Sequence, residues 1–342
     1  MKAAARWESR VERVRVKARH HRRQLRHFRE RWQDAKREAR LLSPDDPDAI
    51  ASTLPRHIEA QVMKDYHRIE KALALRAPNR PFGVEPHARL SRDLNRLQVH
   101  SAEGGLVTAA NDVLRAYDLW TSAGERLPID EGGVVRELRA DILAASKLDE
   151  PERFFWSRHS LRDFDVDEPP PLELLTRGVR LAQSAPSVCN RQAVAVNLYR
   201  QPGDIRRILE LQRGSRGFRE RIPALFVIHV DARLFTLSSE RNQRWIDGGL
   251  FAMTLALALH SLGLGTCMLN WAVDNDLREQ MRRTLGLPYH QDIVMLMAAG
   301  TPPMEVRAAR SQRRALPTIL AVDSPTWAGP TPAGWSTVSP SP

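Results

Sequence analysis

Apolar and weakly polar residues recur at alternating steps of four and three through the first 42 residues, which predicts one long amphipathic helix. The segment has no Gly or Pro before Ser43-Pro44, where we expect the helix to end. Arg and Lys occupy its other faces. The positions of this heptad-like stripe are Trp7, Val11, Val14, Ala18, His21, Leu25, Phe28, Trp32, Ala35, Ala39 and Leu42.

The charge of this helix leaves three arrangements open. Residues 1–40 hold 15 Lys/Arg and 5 Asp/Glu, so they carry most of the net charge of +11 of the whole chain. The helix could pack its stripe on the body of its own chain, pair with the same helix of a partner subunit, or dock its basic face on an anionic membrane or nucleic acid. We consider nucleic acid a poor fit because the rest of the chain carries no recognisable binding motif and few aromatic residues.

The middle of the chain is predicted to be helical. After a turn-rich hinge at 43–48, helical periodicity covers 55–76, one or two helices fall within 87–120, and an amphipathic helix lies near 134–147. The first of these helices carries His67, Glu70 and Lys71 within five residues. Such a group is either an acid–base cluster or an ion pair on a surface helix.

From residue 151 onward, short β-type runs alternate with helical segments, which indicates an α/β or α+β core with helices against a sheet. No G-x-G-x-x-G follows a strand, so a Rossmann dinucleotide site is not indicated. The predicted strands cover 193–200, 224–230 and 292–299, and the predicted helices cover 172–183, 203–212, 244–262 and 275–285.

One uncharged run could be mistaken for a membrane span. Residues 248–271 contain no formal charge and are long enough to cross a bilayer. However, Gly263 and Gly265 interrupt the run, and polar residues lie within it. We therefore predict a buried core helix followed by a glycine turn.

The composition fits a globular protein, with 42% hydrophobic and 27% charged residues. Cys189 and Cys267 are the two cysteines, which excludes a disulfide scaffold and favours a reducing compartment; we interpret both as small buried residues. The Arg-rich start lacks the apolar core of a secretory signal, so we expect a cytoplasmic protein, with peripheral membrane contact as an option. Residues 323–342 are rich in Pro, Ser, Thr and Gly and are predicted to be disordered.

Three polar segments could carry chemistry. Arg158, Ser160 and Arg162 offer charge-assisted donors suited to a phosphate or another oxyanion. The segment 184–192 supplies Ser, Asn and Gln side chains that can both donate to and accept from a polar heterocycle. The segment 263–269 reads as a turn whose backbone amides could meet an aromatic ring system or its carbonyl oxygens.

In this order, the segments resemble the nitroreductase family of FMN-dependent oxidoreductases over residues 151–320. The family pattern R-x-S-x-R-x-F begins at Arg158, A-P-S-x-x-N-x-Q begins at Ala185, and a long apolar helix ends in G-L-G-x-C at Gly263. A strand, Gly300-Thr301-Pro302 and a later Arg313-Arg314 complete the pattern. The segments 245–250 and 67–83 bear a weaker likeness to a subgroup found among polysaccharide-biosynthesis proteins.

The resemblance implies an α+β fold with a central, mostly antiparallel sheet flanked by helices, and an intertwined homodimer with FMN at the subunit interface. It implies hydride transfer from NADH or NADPH through the flavin N5 to an electron-poor small-molecule acceptor, with no catalytic side chain and no metal. The residues that it places around FMN are Arg158, His159, Ser160, Arg162, Ser187, Val188, Cys189, Asn190, Gln192, Thr266, Cys267, Met268, Leu269, Arg313 and Arg314.

These patterns divide the chain into a basic helix (1–42), a helical extension (43–150), an FMN-binding domain (151–322) and a tail (323–342). Two departures from the family pattern affect the expected substrate pocket. Arg191 and Ala193-Val194 interrupt the usual N-x-Q-P-W, and Met268 replaces a frequent Trp. Arg191 would favour an anionic group in a pocket that it faces, or it is a surface residue. The alternative functions are a flavin-binding protein that does not reduce substrates and a non-enzymatic factor of the same fold, linked to polysaccharide biosynthesis or a membrane surface.

Overall fold

The computed structural model describes residues 2–47, 50, 54–100, 104–136 and 138–323. The predicted tail beyond Asp323 and the stripe side chains of Trp7 and Val11 lie outside the described part. The helices are α1 (Lys2–Leu41), α2 (Pro55–Leu73), α3 (Val84–His100), α4 (Gly104–Ala123), α5 (Ala140–Ala145), α6 (Pro151–Ser157), α7 (Leu172–Ala182), α8 (Pro202–Gln212), α9 (Gln243–Ser261) and α10 (Asn275–Thr284). The strands are β1 (Val194–Tyr199), β2 (Ala224–Asp231), β3 (Gly265–Leu269) and β4 (Gln291–Gly300).

The four strands form one antiparallel sheet in the order β1-β2-β4-β3. Side chains of β2 alternate between the two faces, and both faces are covered, which is why all eight residues of this strand are buried. Phe226 and Ile228 pack with α7 and α9, whereas Leu225 and Val227 pack with α8 and α10. The α+β fold with a mostly antiparallel sheet is therefore confirmed.

The helical extension has a hydrophobic cluster of its own. Ile58, Val62 and Ile69 of α2 pack against Leu90 and neighbouring residues of α3 and α4, as the periodicity predicts. The predicted helix at 134–147 is wrong in extent, because only Ala140–Ala145 is helical. None of those six residues is buried, so no tertiary packing extends the helix.

The uncharged run behaves as predicted, since α9 is a core helix that ends at Ser261 and is followed by a turn at Gly263 with a φ of 79°. Among the described residues, no helix combines the length and the apolar character that a bilayer crossing requires. The segment after the turn is β3, so the prediction of a turn through Leu269 is wrong. β3 is a short edge strand with a glycine at its start, and only its pairing with β4 makes it a strand.

A buried cluster of charges joins α1 to the sheet. The carboxylate of Asp292 on β4 is fully buried, and its oxygens lie 2.7 Å from Arg37 Nη1 of α1 and 3.0 Å from Arg244 Nε of α9. Arg244 also forms an ion pair with Glu38 of α1. Each buried charge thus has an opposite charge in contact, which such groups require in a low-dielectric interior.

Asp292→Asn is expected to lower the free energy of unfolding by about 3–5 kcal/mol, because two largely buried guanidinium groups lose their shared counter-charge. Urea unfolding measures the effect. The matched control is Glu150→Gln, which removes an exposed ion pair with Arg153 and is expected to change stability by no more than about 0.5 kcal/mol. Equal effects of the two substitutions would contradict the role of the cluster.

Candidate functional site

An arginine-lined cavity of about 260 Å³ lies where the end of α6 meets the segment 310–313 and the middle of α9. Three of its lining residues are arginines, and within the described part of the chain no carboxylate lines it. It therefore has the electrostatic character of an anion site. Its lining residues are Phe155, Trp156, Arg158, His159, Met253, Arg310, Ser311, Gln312 and Arg313.

The end of α6 is held on α9 by a histidine. His260 Nε2 lies 2.9 Å from Ser157 Oγ and 3.1 Å from the Phe154 carbonyl oxygen, and His159 Nδ1 lies 2.9 Å from the Ser157 carbonyl oxygen. Burial lowers the pKa of His260, the bond to Phe154 opposes that shift, and the charges of Arg158 and His159 add to it. The lowered pKa favours the neutral form of His260 at neutral pH.

The first predicted motif lies directly against β3. Ser160 forms a parallel bridge with Thr266, and the Leu161 N–H donates to the Thr266 carbonyl over 2.8 Å. This contact explains Gly265, where a Cβ would lie 2.3 Å from Leu161 Cδ2. The Thr266 carbonyl therefore points away from β4, toward the outer side of this edge strand. Because backbone direction repeats every two residues along a strand, the N–H and carbonyl of Met268 also point to the outer side.

The side chains of Cys267 and Leu269 on β3 face the interior of the protein. Cys267 and Leu269 belong to the core between the sheet and α8. Burial raises the pKa of the Cys267 thiol, against the opposing charges of Arg162 and Arg158. The thiol is therefore protonated at neutral pH, in agreement with its interpretation as a small buried residue; Cys189 is half-buried.

The second predicted motif forms a strained loop, in which Cys189, Asn190 and Gln192 have φ values of 49°, 53° and 49°. This left-handed backbone is unfavourable for Cys and Gln and tolerated by Asn. Ser187 and Gln192 line a second cavity of about 110 Å³ together with Asp247 and Phe251 of α9. Backbone strain next to a cavity is a common property of binding sites.

Three side chains hold this loop. Asp247 accepts the Val188 N–H at 3.1 Å, and Ser187 Oγ accepts the Gln192 N–H at 3.0 Å. The Asn190 side-chain amide donates to the Tyr66 hydroxyl at 3.1 Å. Burial raises the pKa values of Asp247 and Tyr66. The helical extension thus reaches the candidate site through Tyr66, which no motif in the sequence signals.

Both expectations for Arg191 are wrong. Its side chain is fully buried beneath the loop, 2.6 Å from Glu240 Oε1, and it donates to the Leu234 and Val188 carbonyls. Its guanidinium also lies over the Phe235 ring at 5.3 Å. Arg191 faces neither solvent nor a ligand pocket, and it stabilises the loop from below.

The structure brings together only part of the predicted site. Arg158, His159 and Arg313 share one cavity, Ser160 and Arg162 lie beside β3, and Arg314 follows Arg313 outside the cavity lining. The residues of the second motif lie around the other cavity or in the short turn Val188–Asn190. The two groups of residues therefore occupy separate places in one chain.

The group at 67–71 has the geometry of an ion pair. His67 Nδ1 lies 2.9 Å from Glu70 Oε2 one turn along α2, and both side chains are partly exposed. Neither residue lines a cavity described above. The surface-helix interpretation therefore accounts for this group.

Comparison with known proteins supports the part of the pattern that contains the third motif. Residues 207–301, from α8 to the end of β4, match the family model described as "Nitroreductase family". The resemblance to the nitroreductase family is confirmed. The match includes the third motif, whereas the first two motifs lie before it.

Solved structures similar to this chain include three bacterial proteins. NfrA2 of B. megaterium is 23% identical with a TM-score of 0.44, and the match covers 52% of this chain and 75% of that one. A nitroreductase family protein of Clostridium difficile 630 is 18% identical with a TM-score of 0.43, covering 51% and 98%. An FMN-dependent nitroreductase of Clostridium difficile R20291 is 23% identical with a TM-score of 0.39, covering 46% and 91%.

Tyr66→Phe is expected to loosen the loop of the candidate site, because the partly buried Asn190 amide loses its acceptor. We expect a loss of about 1 kcal/mol in stability and faster hydrogen exchange of the amides at 188–192. Tyr289→Phe is the control, because the ring of Tyr289 is exposed. Unchanged exchange in the Tyr66 variant would show that the extension does not support the loop.

Proposed function

We propose that this protein is an FMN-dependent oxidoreductase that passes hydride from NADH or NADPH to an electron-poor small molecule. The observation that carries the proposal is the arginine-lined cavity, which unites Arg158 and His159 of the first motif with Arg313, far away in the sequence. The match to the nitroreductase family supports it independently, because it rests on residues 207–301.

The residues around the cavity fit the phosphate end of FMN. Arg158 and Arg313 offer charge-assisted donors to a phosphate dianion, and the described lining residues include no carboxylate. The volume of about 260 Å³ is below the usual range of about 300–1,000 Å³ for complete ligand sites. The cavity thus suits one end of the cofactor, and the ring would lie outside it.

The neighbouring edge of β3 suits the flavin ring. The backbone polar groups of Met268 face outward there, two residues beyond Thr266, whose carbonyl already accepts the Leu161 N–H beside Ser160. A bound flavin would accept hydride from the nicotinamide and pass it on, so the protein's own task is to bind and orient the reactants. Because Cys267 is protonated and buried, we assign it no catalytic role.

A homodimer would complete this site. α9 exposes Ile246, Leu250 and Met253 at helical spacing along one side, and the exposed Trp156 lies near them at the arginine-lined cavity. Covering this apolar surface with a second copy would bring a second set of loop residues, Ser187 to Gln192, toward the cavity. We also propose the domain division 1–42, 43–150 and 151–322. The two free thiols favour a reducing, cytoplasmic compartment.

The purified protein is expected to show a flavin absorbance band that bleaches on anaerobic addition of NADH or NADPH. The spectrum before and after each addition measures both cofactor binding and donor preference. A band that persists with both donors would leave a flavin-binding protein that is not a reductase. The lack of any band after FMN is added would overturn the proposal.

Arg158→Gln and Arg313→Gln are each expected to weaken FMN binding about tenfold to hundredfold, because each removes a charged hydrogen-bond donor from the phosphate. Quenching of flavin fluorescence measures the dissociation constants. Arg153→Gln is the matched control, since Arg153 lies on α6 outside the cavity and is highly exposed. Equal affinity for FMN in all three variants would show that the phosphate does not bind in this cavity.

A further inference from the structure

The long basic helix α1 contacts the body of the protein through its polar face. Glu30 accepts the Asn275 N–H at 2.9 Å, Asp34 lies 2.9 Å from Arg278, and Arg37 binds the buried Asp292. These positions follow one another at steps of four and three, so they form one face of the helix. Polar and charged side chains, and few apolar ones, therefore attach this part of α1.

The apolar stripe of α1 faces away from the body. Leu25, Phe28 and Trp32 are 56%, 71% and 55% exposed, although they lie along the length of the helix that contacts the body. Two residues along a helix correspond to a rotation of about 200°, which separates Phe28 from Glu30 and Trp32 from Asp34. The arrangement in which α1 packs its stripe on its own body is therefore wrong for the described positions from Val14 to Ala39, whereas the last position, Leu42, is buried against the body. We name the exposed residues Val14, Ala18, Leu25, Phe28 and Trp32 the outer stripe.

Positive charge borders the outer stripe on both sides. Residues 14–29 contain seven Lys/Arg and no Asp/Glu. Arg15, Arg22 and Arg29 each follow a stripe position, and Lys17 and Arg31 each precede one. A helix with Trp, Phe and Leu on one face and basic side chains beside them has the composition of helices that lie in the surface of an anionic membrane.

We propose that α1 binds an anionic lipid bilayer, with the outer stripe inserted among the acyl chains and the flanking Arg and Lys on the lipid headgroups. The body does not obstruct this contact, because it lies on the opposite side of α1. This inference does not depend on a bound flavin. It gives Phe28 and Trp32, which are exposed on the folded chain, an apolar surface in which they can be buried.

The charges favour a membrane over other occupants. If the stripes of two copies paired as a coiled coil, the basic rows that contain Arg22 and Arg29 would border the same seam and repel one another. A nucleic acid would satisfy the arginines but would give Phe28 and Trp32 no apolar surroundings. An anionic bilayer satisfies both the charge and the apolar surface.

The test is sedimentation of the full-length protein with two kinds of vesicle, phosphatidylcholine alone and phosphatidylcholine mixed with phosphatidylglycerol. We expect binding only to the anionic vesicles, and we expect it to fall as salt is added. Phe28→Ser should weaken binding about tenfold or more through lost apolar burial, and Arg22→Gln should weaken it about fivefold.

Val16→Ser is the matched control, because Val16 is an exposed apolar residue of the same helix about 160° around from Val14. It should bind vesicles as the unsubstituted protein does. Far-UV circular dichroism and urea unfolding should give the same result for all variants, since the changed residues are exposed.

Three outcomes would overturn the proposal. One is equal or absent binding to both kinds of vesicle. Another is binding of a DNA or RNA duplex without vesicle binding, which would assign the basic face to nucleic acid. The third is self-association in analytical ultracentrifugation that Phe28→Ser abolishes while vesicles remain unbound, which would assign the stripe to a second copy of the chain.

Discussion

The carboxylate of Asp292 is the point on which the arrangement of this protein depends. It is fully buried in β4, and Arg37 and Arg244 approach it from two different helices. A buried carboxylate needs such partners, so the charge fixes how α1 and α9 lie against the sheet. α9 then carries residues of both cavities along its length, while α1 has its polar face committed to the body. The candidate cofactor site and the outer stripe thus share one structural anchor.

The loop of the second motif shows how the surroundings can hold an unfavourable backbone. Cys189 and Gln192 have left-handed φ values, which cost of order 1–3 kcal/mol each unless neighbouring contacts impose them. Three residues supply those contacts. Asp247 does so from α9, Arg191 from beneath the loop and Tyr66 from the helical extension. Because the extension contributes one of these supports, it is part of the architecture of the candidate site.

The sequence predicted the regular elements well where a single periodicity dominates. The helices at 172–183, 203–212 and 244–262, the strand at 224–230 and the buried character of α9 all follow from local pattern. β3 could not be predicted in this way, because Gly265 reads as a turn residue and its actual role is close approach to Leu161. The grouping of Arg158 with Arg313 came from the family resemblance. The roles of Tyr66 and the buried Arg191 could not be predicted from their neighbours in the sequence, because they arise from contacts between distant segments.

The orientation of α1 is the feature in which pattern and packing disagree most. A heptad-like stripe normally marks the face that a helix buries, yet here the described stripe from Val14 to Ala39 is exposed and the opposite face binds the body through Asp34 and Arg37. Burying a Phe side chain stabilises a structure by about 1.5–3 kcal/mol, and an exposed Phe28 gives none of this to the folded chain. The regular spacing of the stripe therefore gains no stability within a single chain. Burial of these side chains can be favourable only against a surface outside the chain. Because arginines lie on both sides of the stripe, an anionic surface fits it best.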